Sequence, residues 1–255
     1  MLPIERQDKI KQVLRSTHFV TTEDVAQLLD ASVETIRRDF IQLEQRGVLS
    51  RVHGGATSAG PPFAAAEPSF ADRRVLSMES KASIGRAAAG MVDDGHTVIL
   101  DVGTTALEVA KALPATFHGT VATCSVLVAV ELATRVGVQI LLSGGRMRGG
   151  DLALSNSQTV QFFADLHADI AFLGSGGLHA DAGLTDFYLD EVATRRVMIS
   201  QSSRSFVLAD QSKLGLIAPH RVCLLDQIDG VITDGVLQPD LQSALESSGG
   251  VAYAA

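Results

Sequence analysis

The chain has 255 residues, 46% of them hydrophobic and 20% charged, with a net charge of −8 at pH 7. That much apolar side chain can bury one large core or two unequal ones, which excludes disorder as a description of the whole. Overall acidity would repel nucleic acid, but residues 1–55 hold eight Lys/Arg against eight Asp/Glu, so the entire deficit lies beyond them and only this first part suits an anionic polymer.

No basic leader followed by an apolar run opens the chain, and the most apolar stretch, Val121 to Val130, stops at Glu131 well short of a membrane span. A soluble cytoplasmic protein without a membrane partner is expected. Cys124 and Cys223 lack the paired spacing of a zinc site, so they read as reduced, buried strand residues, with no metal and no cofactor called for.

Pro3 suits the entry of a first helix over Ile4 to Ser16, with Ile10, Val13 and Leu14 at helical spacing. A second helix runs from Thr22 to Leu29, where a threonine can cap the end and Glu23 and Asp24 meet the positive end of the dipole. Ser32 then caps a third. In it Val33, Ile36, Phe40 and Leu43 share one face, and Gly47 after Arg46 stops the helix. Two short helices across a turn of about three residues match a helix-turn-helix. Val48 to His53 followed by Gly54-Gly55 reads as a strand and turn, hence a wing.

The apolar stripe leaves Glu34, Arg38, Gln42 and Gln45 on the far side of the third helix, flanked by Thr35 and Arg37. As a recognition helix it would bring Thr35, Arg37 and Arg38 to base edges or phosphates, with Arg51 and His53 of the wing on the backbone or minor groove. An exposed Glu34 and Arg38 pair four residues apart also stands without DNA. The ordered set of helices, turn, glycine stop and basic wing is what favours DNA.

The segment resembles the N-terminal winged helix-turn-helix of the DeoR family of bacterial sugar-catabolism regulators. The matching residues are Arg6 and Ile10, then Ser32, Thr35-Ile36-Arg37-Arg38-Asp39-Phe40 and Leu43, then Gly47, Arg51 and His53-Gly54-Gly55-Ala56. Phe40 stands where the family has leucine, a mild change on the core face. The resemblance implies a DNA-binding domain over residues 1–56 whose contacts come from Ser32, Thr35, Arg37, Arg38, Arg51 and His53.

Residues 56–68 are small, Pro-bearing and poor in large apolar residues, a linker composition, and 57–74 is assigned as linker between the first domain and a second over 75–255. Beyond it, apolar strand runs alternate with helical ones. Strands are expected at 97–101, 120–123, 138–142, 169–173, 205–209, 222–225 and 231–233, and helices at 80–92, 105–113, 126–136, 159–166 and 190–200. Such alternation predicts an α/β domain with a largely parallel sheet and helices on its faces.

Polar turns follow the strands at Asp101-Val102-Gly103-Thr104-Thr105, Cys124-Ser125, Ser143-Gly144-Gly145-Arg146, Gly174-Ser175-Gly176-Gly177 and Asp210-Gln211-Ser212-Lys213. In an open parallel sheet these converge on one edge, where ligands bind. Gly103-Thr104-Thr105 opening a helix suits phosphate; Arg146 and Lys213 supply positive charge, and Asp101, Asp186 or Asp210 can accept from ligand hydroxyls. Taken singly, each is also an ordinary turn, cap or solvated charge. No Walker A or dinucleotide fingerprint is present.

This region is similar to the DeoR-family C-terminal sensor domain, related in fold to ribose-5-phosphate isomerase. The matching pieces include Lys81 with Ile84, Leu100 to Thr105, Gly144-Gly145, Ala168 to Gly174, Gly177 with Gly183-Leu184-Thr185, Glu191, and Ala209 to Lys213. The resemblance implies a phosphorylated sugar effector, held by Asp101, Gly103, Thr104, Thr105, Gly144, Gly145, Arg146, Gly177, Asp186, Glu191, Asp210 and Lys213, and a homo-oligomer on double-stranded operator DNA. Cys124 replaces a common asparagine and Asn156 a common glycine, so the effector's identity does not carry over. The resulting expectation is a transcriptional regulator, most simply a repressor, with no catalytic residue. Its rivals are a sugar-phosphate isomerase-like enzyme and a phosphosugar-binding module whose first helices only dimerise.

Overall fold

The computed structural model describes residues 2–17, 19–45, 48–52, 54–58 and 66–255, so Arg46, Gly47 and His53, assigned above to the helix stop and wing, lie outside the described residues. Two compact units divide the chain, Met1–Pro68 and Ser69–Ala255.

In the first unit α1 (Pro3–Thr17), β1 (Phe19–Thr21), α2 (Thr22–Leu28), α3 (Val33–Gln45), β2 (Leu49–Val52) and β3 (Gly55–Ser58) follow one another. The threonine that caps α2 is Thr21, whose hydroxyl accepts from the Asp24 N–H at 2.9 Å. Ile10 and Leu14 of α1, Val25 of α2 and Ile36, Phe40 and Leu43 of α3 close one buried core, with Val33 packed at its margin. The helical spacing of these residues is what makes the three helices mutually necessary. Asp30 takes the left-handed conformation between α2 and α3, a conformation that short polar side chains tolerate. The wing gains a strand not anticipated from sequence: β1 pairs antiparallel with β3, giving the order β1-β3-β2. A three-residue strand running directly into a helix has too little alternation to register as one. Gly55 is required by that pairing, because a Cβ there would lie 2.1 Å from the Val20 carbonyl oxygen.

The second unit begins with α4 (Phe70–Val75) and α5 (Met78–Ala89), then β4 (Thr97–Leu100), α6 (Thr104–Ala112), β5 (Gly119–Thr123), α7 (Val126–Leu132) and β6 (Val138–Leu142). A small hairpin of β7 (Arg146–Met147) and β8 (Leu154–Ser155) precedes α8 (Ser157–Ala164), β9 (Ile170–Leu173), β10 (Gly177–His179), β11 (Gly183–Asp186) and α9 (Leu189–Ser200). The chain ends with β12 (Ser205–Leu208), β13 (His220–Cys223), β14 (Gly230–Thr233), α10 (Pro239–Ser247) and β15 (Val251–Ala254). Seven strands form one sheet in the order β15-β14-β12-β9-β4-β5-β6, every pairing parallel. Along β4 the side chains alternate between two cores. Val98 and Leu100 meet α5 and α6 on one face, and Ile99 joins Phe163 of α8 and Met198 of α9 on the other. Burial on both faces explains why these strands read as unbroken apolar runs.

Two expectations are corrected. The strand expected at 222–225 is β13, which starts at His220 and pairs antiparallel with β11 in a separate three-stranded sheet instead of joining the parallel one. The helix expected to reach Val136 ends at Leu132. The segment assigned as linker is structured at both ends, Thr57 and Ser58 in β3 and Phe70–Val75 in α4.

Candidate DNA interface and effector site

At the start of α3 the Ser32 hydroxyl caps the helix by accepting the Thr35 N–H at 3.2 Å, and the Thr35 hydroxyl lies 2.8 Å from it. Arg37 and Arg38 are exposed. Arg38 stands 3.7 Å from Glu34, with both side chains well solvated, a contact that contributes little and leaves the guanidinium available. Arg37 has no side-chain partner among the described residues. Arg51 on β2 donates to Glu44 through Nε at 2.6 Å and through its backbone N–H at 2.9 Å, and these two bonds hold the Glu44 carboxyl below its usual range. The wing is thereby fastened to the end of α3.

The side of α3 that faces α1 carries polar contacts that hydrophobic periodicity does not reveal. Asp39, buried, accepts from Arg6 Nε at 2.5 Å and from Gln7 Nε2 at 3.0 Å, and Gln7 Nε2 also donates to Gln42 at 2.8 Å. The two acidic and basic motif residues Arg6 and Asp39 therefore join α1 to α3.

In the second unit the parallel strands bring their carboxyl ends to one edge. Gly103, at φ +118°, turns the chain from β4 into α6, where the N–H groups of Thr104, Thr105 and Ala106 precede the first helical bond, Leu107 N–H to Gly103. The Thr104 and Thr105 hydroxyls make no hydrogen bond among the described residues. Gly144 and Gly145 also have positive φ, and a Cβ on Gly145 would lie 2.4 Å from the Thr159 hydroxyl, which donates to the Gly144 carbonyl. Gly177 is needed for close approach to the Leu216 carbonyl. Asn156 caps α8, accepting from Gln158 and Thr159, and its backbone is extended, so it needs no glycine.

The carboxylates of this edge are largely spoken for. Arg195, on α9 and 3% exposed, donates through Nε to Asp101 at 2.5 Å, through Nη1 to Asp186, and through Nη2 to Glu191 at 3.0 Å. Asp101 also accepts the Gly174 N–H at 2.8 Å, which links the ends of β4 and β9. Burial alone would pull the Arg195 guanidinium down, but its three carboxylates outweigh that and raise it. Arg148 reaches Asp151 and Glu191 and lies 3.9 Å over the Tyr188 ring. Burial pushes Glu191 up to about 7, against the opposing pull of Arg195. The Cys124 thiol is raised as well, by burial and then by the Asp101 and Glu191 charges, so it stays a thiol. Asp210 caps the short 3-10 turn that carries Lys213 by accepting from the Ser212 N–H at 2.9 Å. The Lys213 ammonium has no partner among the described residues.

Arg195 is the residue that sequence reading missed. Its signal was present: it occupies the buried helical stripe of Val192 and Met198, where an arginine has to be compensated. Among the described residues, Arg146 and Thr104 line different clefts. Arg146 opens on a cleft of about 510 Å³ with Tyr188, Asp190 and His220, whereas Thr104 opens on one of about 480 Å³ with Arg74, Lys81 and Lys111. Among the described residues no helix is long and apolar enough to cross a membrane.

Residues 6–61 match the family described as the DeoR-like helix-turn-helix domain and residues 76–235 the DeoR C terminal sensor domain. The HTH-type transcriptional regulator GolR of Listeria innocua is 31% identical over 98% of this chain and 97% of that protein. The glycerol-3-phosphate regulon repressor of Escherichia coli K12 is 30% identical over 92% of each. Ribose 5-phosphate isomerase A of Methanocaldococcus jannaschii superposes with a TM-score of 0.40 at 16% identity over 54% of each chain. With both domain families matched in order and regulators aligned along nearly the full length, the chain belongs to the DeoR family of DNA-binding transcriptional regulators.

Proposed function

We propose that the protein is a cytoplasmic repressor of sugar or polyol catabolism genes that binds operator DNA as a homo-oligomer and is controlled by a phosphorylated sugar. The observation that carries the reading is the exposed pair Arg37 and Arg38 on the outer face of a helix whose inner face is clamped, joined in one chain to a sheet edge with an open helix N-terminus. Thr35, Arg37 and Arg38 face the major groove and Arg51 with His53 meets the backbone. In the second unit the amides and hydroxyls of Gly103-Thr104-Thr105 take the phosphate, with Lys213 as a positive charge. Asp101, Asp186 and Glu191 act one step back, holding Arg195 and with it the loops after β4 and β9.

The names of relatives support this reading, one of them being a repressor of a glycerol-3-phosphate regulon. For the sugar phosphate to regulate, it must bind the DNA-competent and DNA-incompetent states with different affinity. A thermal-shift screen over phosphorylated sugars, followed by DNA titration with and without the stabilising compound, tests it. A compound that raises stability yet leaves DNA affinity unchanged would remove the effector role.

A further inference from the structure

Gln42 lies on the exposed side of α3 and Gln7 on the buried side of α1, and the order of donors and acceptors between them admits one arrangement. An ion-paired carboxylate has no hydrogen to give, so Asp39, bound by Arg6 at 2.5 Å, accepts only. Gln7 must therefore aim its NH2 group at Asp39, at 3.0 Å. The same nitrogen lies 2.8 Å from the side chain of Gln42, which has to meet it with its carbonyl oxygen, because the reversed amide would set NH2 against NH2. The Gln42 NH2 is thus turned away from α1.

We infer that Gln7 is a positioning residue for DNA binding, which through the Arg6, Asp39 and Gln7 relay presents Gln42 as a hydrogen-bond donor to the phosphate backbone. The inference rests on α3 being the recognition helix. Thr35, Arg37 and Arg38 occupy its N-terminal half, which enters the groove, so Gln42, a turn later, falls at the groove rim, where phosphate oxygens are the acceptors. A free glutamine would lose part of its binding energy to ordering; one held from behind has already met that cost.

The test uses the full chain and a fluorescent DNA duplex of random sequence, comparing Gln42→Ala, Gln7→Leu, the double variant and Gln42→Glu, with Arg37→Ala and Arg38→Ala alongside. Gln42→Ala and Gln7→Leu each weaken binding by about three- to ten-fold, and the double variant binds no more weakly than the worse single one. Gln42→Glu, a surface change that keeps an acceptor toward Gln7 and turns a carboxylate oxygen outward, weakens it more than Gln42→Ala does. Additive losses in the double variant, or full affinity in Gln42→Ala while the arginine variants bind weakly, overturn the relay. If the arginine variants also bind with full affinity, it is the recognition-helix reading that falls, and the relay with it.

Discussion

Arg195 on α9 donates through Nε to Asp101 at the end of β4, 2.5 Å away, with both side chains almost wholly excluded from solvent. The same guanidinium serves Asp186 and Glu191, so one cation binds three carboxyl groups and fastens α9, β11 and the loop after β4 into one block. In a helix pattern Arg195 reads as one charged residue among several; in the fold it is the hub of the ligand edge.

Removing that hub should be costly. Arg195→Met leaves Asp101 and Asp186 buried without their cation, and breaking such a network costs about 3–5 kcal/mol. Urea unfolding should show that loss, and Arg195→Lys should recover little of it, because one ammonium cannot reproduce the fork. Stability within 1 kcal/mol, roughly the level of a surface change, would show that the network contributes nothing to the fold.

Glu191 gives the second unit a pH dependence of unusual sign for a carboxyl group. Folded, it keeps its proton to about pH 7, whereas its ordinary value is 4.5. The stabilisation it gives is therefore complete below its unfolded value and is lost as pH rises through the folded one. Glu191→Gln removes that loss. Relative to the parent, the variant should gain on the order of 1–3 kcal/mol of unfolding free energy between about pH 5 and pH 8. Asp151, held low by Arg148 despite its burial, is common to both proteins and cancels in the difference. Parallel stability curves would place the titration elsewhere.

Arg37 and Arg38 separate by the kind of DNA contact each makes. If Arg38 reads a base, Arg38→Ala loses about 1–3 kcal/mol on operator DNA and relaxes specificity at one position. A phosphate contact by Arg37 makes Arg37→Ala weaken all sequences alike and lowers the salt slope by about one. Titrations at several salt concentrations on selected and random duplexes read both. The reverse assignment is equally visible, and loss of neither slope nor specificity would take the helix out of the groove.

Lys213 has no partner among the described residues, so Lys213→Ala should leave stability and basal DNA binding intact while weakening the response to a sugar phosphate by about ten-fold or more, the scale of a lost charge-assisted bond. Full response in the variant would exclude Lys213 from the ligand.

Much of the molecule was legible in the order of its residues. Local rules suffice for the three helices of the first unit, for the cap at Ser32 and for the β-α alternation of the second, because helix and strand periodicity and capping act over a few neighbours. The turns after the strands could be placed on one edge for the same reason, since parallel connections leave strand ends no other choice. Tertiary structure alone decided what those turns hold. Asp101 and Arg195 lie 94 residues apart, and Arg6 and Asp39 33 apart. Nothing local distinguishes a carboxylate that will face a ligand from one that will face a buried arginine. Pairing of β1 with β3, the transfer of β13 to a second sheet and the polarity of Gln42 likewise depend on which surfaces meet, because burial and hydrogen-bond direction belong to contacts between distant segments.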